Sequence, residues 1–218
     1  MKKYRFFVNK NLLDINFYLF DDYYYKIRNI LKLKIGDYVF LFNDIDIEIK
    51  SIIIKYGFNY VIVKKLETFF LKKELPFYLN LGYVISKNLH MEFAIQKATE
   101  LGVTNIIPLL SERINYHLSY HLLEKKMIHW NNIIIDACRQ SNSSHVPKLY
   151  FPVHLYKWIK YLYYLKNFLT ITNIIFSLDN INNFKYLKCS KYVNAIIGPE
   201  GGFTKNELFF LKYYYFNQ

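Results

Sequence analysis

The stretch 192–207 constrains the fold of this chain more than any other. Tyr192, Val193, Ala195, Ile196 and Ile197 form an apolar run that reads as a buried strand. The run ends in Gly198-Pro199-Glu200-Gly201-Gly202, which holds three of the chain's seven glycines. Thr204-Lys205-Asn206-Glu207 follows with the S/T-x-x-E spacing. In that spacing a threonine hydroxyl and a glutamate carboxylate each satisfy a free amide of a helix's first turn. Strand, glycine turn and capped helix together are the α/β way of presenting bare backbone at the carboxyl end of a strand. Glycine lacks a Cβ, so a flat ring or a carboxylate can come close to the main chain there. An ordinary βα turn that binds nothing has the same local pattern.

Upstream the pattern divides. Residues 1–72 read as short strands with one helix, a small β barrel. Residues 38–42 form one strand after the Gly36-Asp37 turn. Ile45, Ile47 and Ile49 alternate with Asp46, Glu48 and Lys50, the period of a half-buried strand. Residues 60–65 form another strand, and 22–33 a helix. Lys72-Lys73-Glu74-Leu75-Pro76 is the expected linker. From 77 onward strands and helices alternate: strands at 77–86, 103–110, 170–178 and 194–197, and helices at 89–101 and 122–139. Met91, Ala94, Ile95, Ala98 and Leu101 mark one helical face, and Gly102 stands where a left-handed cap is expected. Such alternation predicts a mostly parallel sheet with helices on its faces.

Composition narrows the partners. The 218 residues carry a net charge of +12, and basic surface is the electrostatic footprint of nucleic-acid binding. Only four arginines (Arg5, Arg28, Arg113, Arg139) stand among the 29 basic residues. Ile, Lys, Asn, Phe and Tyr, the products of AT-rich codons, dominate, so part of the basicity and aromaticity belongs to codon bias. Cys138 and Cys189 have neither paired nor metal-ligand spacing, which fits a reducing cytoplasm. His117 and His121 are spaced i, i+4, but no further ligand joins them at a recognised spacing, and no metal is expected. No signal peptide is visible. The aromatic stretch 158–176 is broken by Lys160, Lys166, Asn167 and Asn173, too polar to span a bilayer, so no membrane partner is expected.

Three segments in order carry a family resemblance. They are Lys87-x-x-x-Met91-Glu92-Phe93-x-Ile95-Gln96-Lys97-Ala98-Thr99-Glu100-Leu101-Gly102-Val103, then Ile107-Pro108-Leu109-Leu110-Ser111-Glu112-Arg113, then Ile197-Gly198-Pro199-Glu200-Gly201-Gly202. Q-K-A-T-E-L-G-V is the most specific of them. Together they resemble the bacterial 16S rRNA uridine-N3 methyltransferases of the trefoil-knotted SPOUT superfamily. Arg5-Phe6-Phe7-Val8 and the run from Ile30 to Asp37 are similar to that family's RNA-binding barrel. The resemblance implies a PUA-like barrel at 1–72 followed by a SPOUT-type α/β knot domain at 77–218. It implies a homodimer that transfers a methyl group from S-adenosylmethionine to N3 of a uridine in small-subunit rRNA. The cofactor pocket of that family is built by three loops. Here the first two are Ser177-Leu178-Asp179 and the turn with Ile197, Gly198, Pro199, Glu200, Gly201 and Gly202. The family continues past the helix after this turn into an L-G-x-R-x-L-R-x-E-T-A segment that closes the knot. The chain as given reaches Gln218 without it, so an open crossing is expected. Arg139 and Ser143 stand where the family has Glu and Arg, and Lys26 and Lys32 alter its His-x-x-x-x-L-R.

Methyl transfer to uracil N3 needs a base for the N3 proton, or a cation that stabilises the N3/O4 anion. Arg113 is the candidate cation, with phosphate contact or a solvated surface role as the alternatives. Glu200, the one carboxylate in the glycine turn, is the candidate catalytic carboxylate or cofactor-orienting group. RNA contact is expected from Arg5, Lys26, Arg28, Lys32 and Lys34, with Lys2 and Lys3 beside them. Lysine supplies phosphate affinity without sequence information. A non-catalytic rRNA-binding homologue and a related tRNA enzyme are the other readings.

Overall fold

The computed structural model describes residues 3–9, 12–43, 47–70, 75–113, 119–141, 143, 145–166, 169–176 and 190–216. The chain divides into two compact units: 1–74 with 138–146, and 75–137 with 147–218.

The first unit is a five-stranded mixed sheet in the order β1-β3-β4-β5-β2. The strands are β1 (Arg5–Phe7), β2 (Asn16–Phe20), β3 (Tyr38–Phe42), β4 (Ile47–Tyr56) and β5 (Tyr60–Phe70). β1 pairs β3 in parallel and the other pairs are antiparallel. Period two sends Phe17, Leu19, Val39, Leu41, Val61 and Val63 into one core. Register shifts at Lys50/Ser51 and Ile53/Lys55 bend β4, as bulges do. The expected helix at 22–33 is shorter. An α turn, α1 (Asp22–Tyr25), continues as a wider π turn over Lys26–Ile30, and Lys32 then takes a left-handed conformation, φ 53°.

Arg5 corrects an expectation. It is 4% exposed, not on a solvent face. Its Nε donates to Glu48 at 2.6 Å, Nη1 to the Cys138 carbonyl at 2.6 Å and Nη2 to the Ser143 carbonyl at 2.9 Å. Three protein acceptors hold the guanidinium inside this unit. Arg139 lies over the Phe6 ring and donates from Nε to the Arg5 carbonyl at 3.1 Å.

The second unit is an all-parallel sheet. β10 (Ile171–Phe176), β11 (Tyr192–Ile197), β6 (Tyr78–Val84) and β7 (Asn105–Leu110) run in that order. Two short strands, β8 (Lys148–Leu149) and β9 (Val153–His154), share the outer edge of β7. Helices α2 (Asn88–Glu100), α4 (Leu155–Lys166), α5 (Lys205–Leu211) and α3 (Tyr120–Ser141) as far as Ala137 complete it; the last residues of α3 belong to the first unit. Near-continuous apolar strands such as Asn105–Leu110, with Ile106 to Leu109 all buried, are what a sheet covered on both faces requires. Val84, Leu109 and Ile196 join Trp158, Ile159 and Leu162 of α4 and Leu211 of α5 in one core. Gly102 ends α2 at φ 83°, as its cap position predicts.

Matched register also stacks four asparagines across four strands. Asn173, Asn194, Asn80 and Asn105 are successive partners, and their side-chain amides bond in a row at 2.9, 2.8 and 2.6 Å. Asn194, in the middle, is 1% exposed and bonded on both sides, so its amide enters the interior satisfied. Slipping one strand by a residue breaks the row, which ties register to side-chain chemistry.

Candidate functional site

In a parallel sheet all carboxyl ends lie on one edge. The chain builds outward from β6 to β7, then β8 and β9, and afterwards returns on the other side through β10 and β11. Strand order therefore reverses between β6 and β11, where α/β proteins place their ligands. The segments leaving that edge are 85–87 after β6, 111–113 after β7 and 198–204 after β11. The segment after β10, with the expected cofactor residue Leu178, lies outside the described residues.

The glycine turn has the backbone its sequence predicts. Ile197 is the last residue of β11. The Gly202 amide donates to the Pro199 carbonyl at 2.8 Å, and Gly202 sits at φ 71°, a conformation that favours glycine. A Cβ on Gly198 would stand 2.8 Å from the Phe203 ring, and one on Gly201 would stand 3.0 Å from Nη1 of Arg113. At Gly198 the buried Phe203 ring leaves no room for a side chain, whereas at Gly201 the exposed Arg113 side chain would have to shift by a few tenths of an ångström.

The capping box also forms. The Thr204 hydroxyl accepts from the Glu207 amide at 3.1 Å, and the Glu207 carboxylate accepts from the Thr204 amide at 2.8 Å. Glu207 does more than cap. It is fully buried, and its second oxygen accepts the Glu112 amide at 2.9 Å. The Thr204 hydroxyl in turn donates to Glu112 at 2.6 Å, and the Tyr156 hydroxyl of α4 donates to the same carboxylate. Nη1 of Arg113 donates to the Gly201 carbonyl. The β7 segment and the glycine turn are thus stitched together at several points. The Thr204 and Tyr156 hydroxyls hold the Glu112 carboxyl below the usual glutamate range. Burial, then the bond to Glu112, pushes the Tyr156 hydroxyl well above the usual tyrosine range.

Glu200 points to the start of α2. Its carboxylate meets Nδ1 of His90 at 2.6 Å and Nζ of Lys87 at 3.6 Å. The His90 bond, with Lys87 nearby, holds the Glu200 carboxyl below its ordinary value. Ser86, one residue before Lys87, carries a buried hydroxyl with no partner among the described residues. The expected pair Arg113 and Glu200 therefore share one edge with Ile197, Gly198, Pro199, Gly201 and Gly202. Glu112, Glu207, Tyr156, His90 and Ser86 join them without having been singled out as site residues. The Thr204/Glu207 spacing was a signal for half of Glu207's role. Nothing in the spacing announces Tyr156, 44 residues from Glu112.

The basic residues of the first unit form a separate group. Lys34 and Lys32 are exposed, Lys26 is half-buried, and Arg28 lies over the Tyr56 ring at 4.9 Å. Among the described residues no helix is long and apolar enough to cross a membrane.

Comparison with known proteins agrees with this architecture. Residues 73–218 match the family model of the RNA methyltransferase domain. Ribosomal RNA small subunit methyltransferase E of Buchnera aphidicola subsp. Schizaphis graminum is 35% identical over 195 residues, covering 85% of this chain and 74% of the relative. The protein of that name from Rickettsia conorii is 30% identical over 98% of this chain and 85% of its own length. A Legionella pneumophila protein described as a methyltransferase, solved with the cofactor SAM bound, superposes with a TM-score of 0.86 at 27% identity, over 99% of this chain and 87% of that one. Ribosomal RNA small subunit methyltransferase E from Neisseria gonorrhoeae shares the fold, with a TM-score of 0.83 at 24% identity over 96% of this chain and 85% of its own. With the family model spanning most of the chain and a relative 35% identical over 85% of it, the chain belongs to the RNA methyltransferase family of ribosomal RNA small subunit methyltransferase E.

Proposed function

We propose that the chain transfers a methyl group from S-adenosylmethionine to N3 of a uridine in 16S rRNA of the small ribosomal subunit. The observation that carries the reading is the bare glycine turn at the strand-order reversal, stitched to the segment that bears Arg113. Support for the cofactor comes from the Legionella relative and from two local features. One is the open space beside Gly202, where a Cβ would meet nothing within 4 Å; the other is the Ser86 hydroxyl left without a partner among the described residues. Support for the uridine position comes from the motif resemblance. In this reading residues 1–72 are a PUA-like RNA-binding barrel, residues 77–218 a SPOUT-type knot domain, and the enzyme a cytoplasmic homodimer.

The main chain of Gly198, Pro199, Glu200, Gly201 and Gly202, with Ile197 and Leu178, would hold S-adenosylmethionine. When bound, it supplies an electrophilic methyl group on a sulfonium. The chain's own residues do the rest by positioning and electrostatics. Arg113 is exposed and gives one donor to Gly201, and a guanidinium has five, so others remain for the uracil O4 or N3 anion. Losing the N3 proton to solvent water turns a poor nucleophile into a good one, and a fixed cation lowers the cost of that loss. Glu200 suits a charge-holding role: a carboxyl kept below its ordinary value takes a proton poorly, so it orders His90 and Lys87 at the rim. Lys26, Arg28, Lys32 and Lys34 would meet phosphates. The target base must be unpaired, because N3 lies inside a Watson–Crick pair.

The test is nucleoside mass spectrometry of 16S rRNA from a strain lacking its own enzyme and complemented with this chain. Appearance of 3-methyluridine, lost with Arg113→Ala, is expected. Unmodified rRNA with a stably expressed chain contradicts the proposal and leaves an rRNA-binding role.

A further inference from the structure

The outer face of the five-stranded sheet carries three aromatic rings in mutual contact. Period two puts Asn16, Tyr18 and Phe20 of β2 toward solvent and buries Phe17 and Leu19. The β2–β5 register sets Tyr18 opposite Ile62 and Phe20 opposite Tyr60. The Tyr18 and Phe20 rings stack at 6.3 Å and 16°, and the Tyr60 ring lies 5.9 and 5.7 Å from them. Tyr18 and Phe20 stay 48% and 47% exposed. The third ring is seated by the hairpin: a Cβ on Gly57 would fall 2.2 Å from the Tyr60 ring. Cations border the cluster. Lys64 lies opposite Asn16 on the same face, and Lys55 opposite Ile62. Both are exposed and make no ion pair among the described residues. The carboxylate at this end, Asp21, is bonded by the Asn59 amide at 2.8 Å.

We infer that this face is a stacking platform for unpaired RNA bases, with Lys55 and Lys64 meeting the adjacent phosphates. The inference rests on RNA being the substrate. Half-open flat rings on a strand, fringed by free lysines, match what single-stranded RNA presents: a π-face on every base and a negative charge between bases. β2 is an edge strand, where its two exposed rings, Tyr18 and Phe20, would otherwise be a liability for edge-to-edge pairing. The platform captures unpaired bases, while Lys26, Arg28, Lys32 and Lys34 contribute charge alone.

The test titrates the full chain with a labelled oligouridylate of about 12 nucleotides, within the range one such domain occupies, and with its abasic counterpart, at several salt concentrations. The double variant Tyr18→Leu/Phe20→Leu keeps apolar side chains on the strand but removes two π-faces. It is expected to weaken oligouridylate binding about tenfold or more and to leave the abasic oligomer and the salt dependence unchanged. Gly57→Ala displaces the Tyr60 ring alone and gives a smaller loss in the same direction. Lys55→Ala/Lys64→Ala lowers the salt slope for both oligomers, by about 0.7 per lysine. Unchanged oligouridylate affinity in the leucine variant, or equal loss on both oligomers, overturns the inference. So does a leucine variant that alters sedimentation of the chain instead of RNA affinity, the mark of a protein contact. No methyl donor is present, so failure here leaves the cofactor reading intact, and absence of methyl transfer leaves this result standing.

Discussion

Glu207 should hold the two halves of the site edge together, and its removal has a calculable cost. Its carboxylate is fully buried and accepts the Thr204 amide at 2.8 Å and the Glu112 amide at 2.9 Å. Glu207→Ala removes both acceptors. A buried amide left unpaired costs about 1–3 kcal/mol, so two cost about 2–4 kcal/mol once partial hydration at the Glu112 end is allowed. Glu207→Gln keeps one acceptor oxygen and turns an NH2 donor toward the other amide, so about half the loss is expected. Both tryptophans, Trp130 and Trp158, lie in the second unit, so tryptophan fluorescence in urea reports on that unit alone. With m near 1–3 kcal/mol/M, the alanine variant should unfold roughly 1–2 M earlier. A midpoint within about 0.3 M of the parent, or a glutamine variant as damaged as the alanine one, refutes the reasoning.

Acid should weaken the same edge. The Glu112 carboxyl is lowered from 4.5 in the folded state, so its contribution is complete above that value and fades as pH falls through the depressed one. Tryptophan-monitored stability should decline below about pH 4.5 and decline less in Glu112→Gln; equal acid limbs contradict this. Asn194→Ala takes the acceptor from the Asn80 amide and one donor from the Asn173 oxygen, so about 1–3 kcal/mol should be lost in urea, and a loss below about 0.5 kcal/mol would show the row to be dispensable. Arg5→Ala leaves Glu48, 2% exposed, with Lys3 as its remaining cationic partner, so about 1–3 kcal/mol should go from the first unit in far-UV circular dichroism against urea, and a loss below about 0.5 kcal/mol would contradict this. Alanine at Lys32 or Lys34 should instead spare stability and lower the salt slope of RNA binding by about 0.7 each.

Local chemistry was legible where local rules decide it. The capping box and the left-handed end at Gly102 each follow from a few adjacent residues and appear as expected. The alternation of Ile47 and Ile49 located β4, but not the two bulges that shift its register. Helix α4 escaped notice because its buried Leu155, Trp158, Ile159 and Leu162 lie among tyrosines and lysines that mask the helical period. Arg5 was misplaced because its partners lie 43 residues away at Glu48 and well over a hundred away at Cys138 and Ser143, beyond any spacing rule. The asparagine row has a similar cause. Four separate asparagines become one hydrogen-bonded chain only once strand register is known. The site followed the same division: the glycine turn and Arg113 stood out by motif, while Tyr156 and His90 entered through sheet topology.

Calorimetric titration with S-adenosylhomocysteine tests the central claim most directly. The parent chain should bind it more tightly than about millimolar, or ~4 kcal/mol. Gly201→Val, whose branched side chain would enter the space beside Arg113 and the turn, should abolish the heat while the tryptophan transition in urea persists. A silent parent chain, or a valine variant that binds as the parent does, would contradict the claim that this bare backbone is the cofactor's seat.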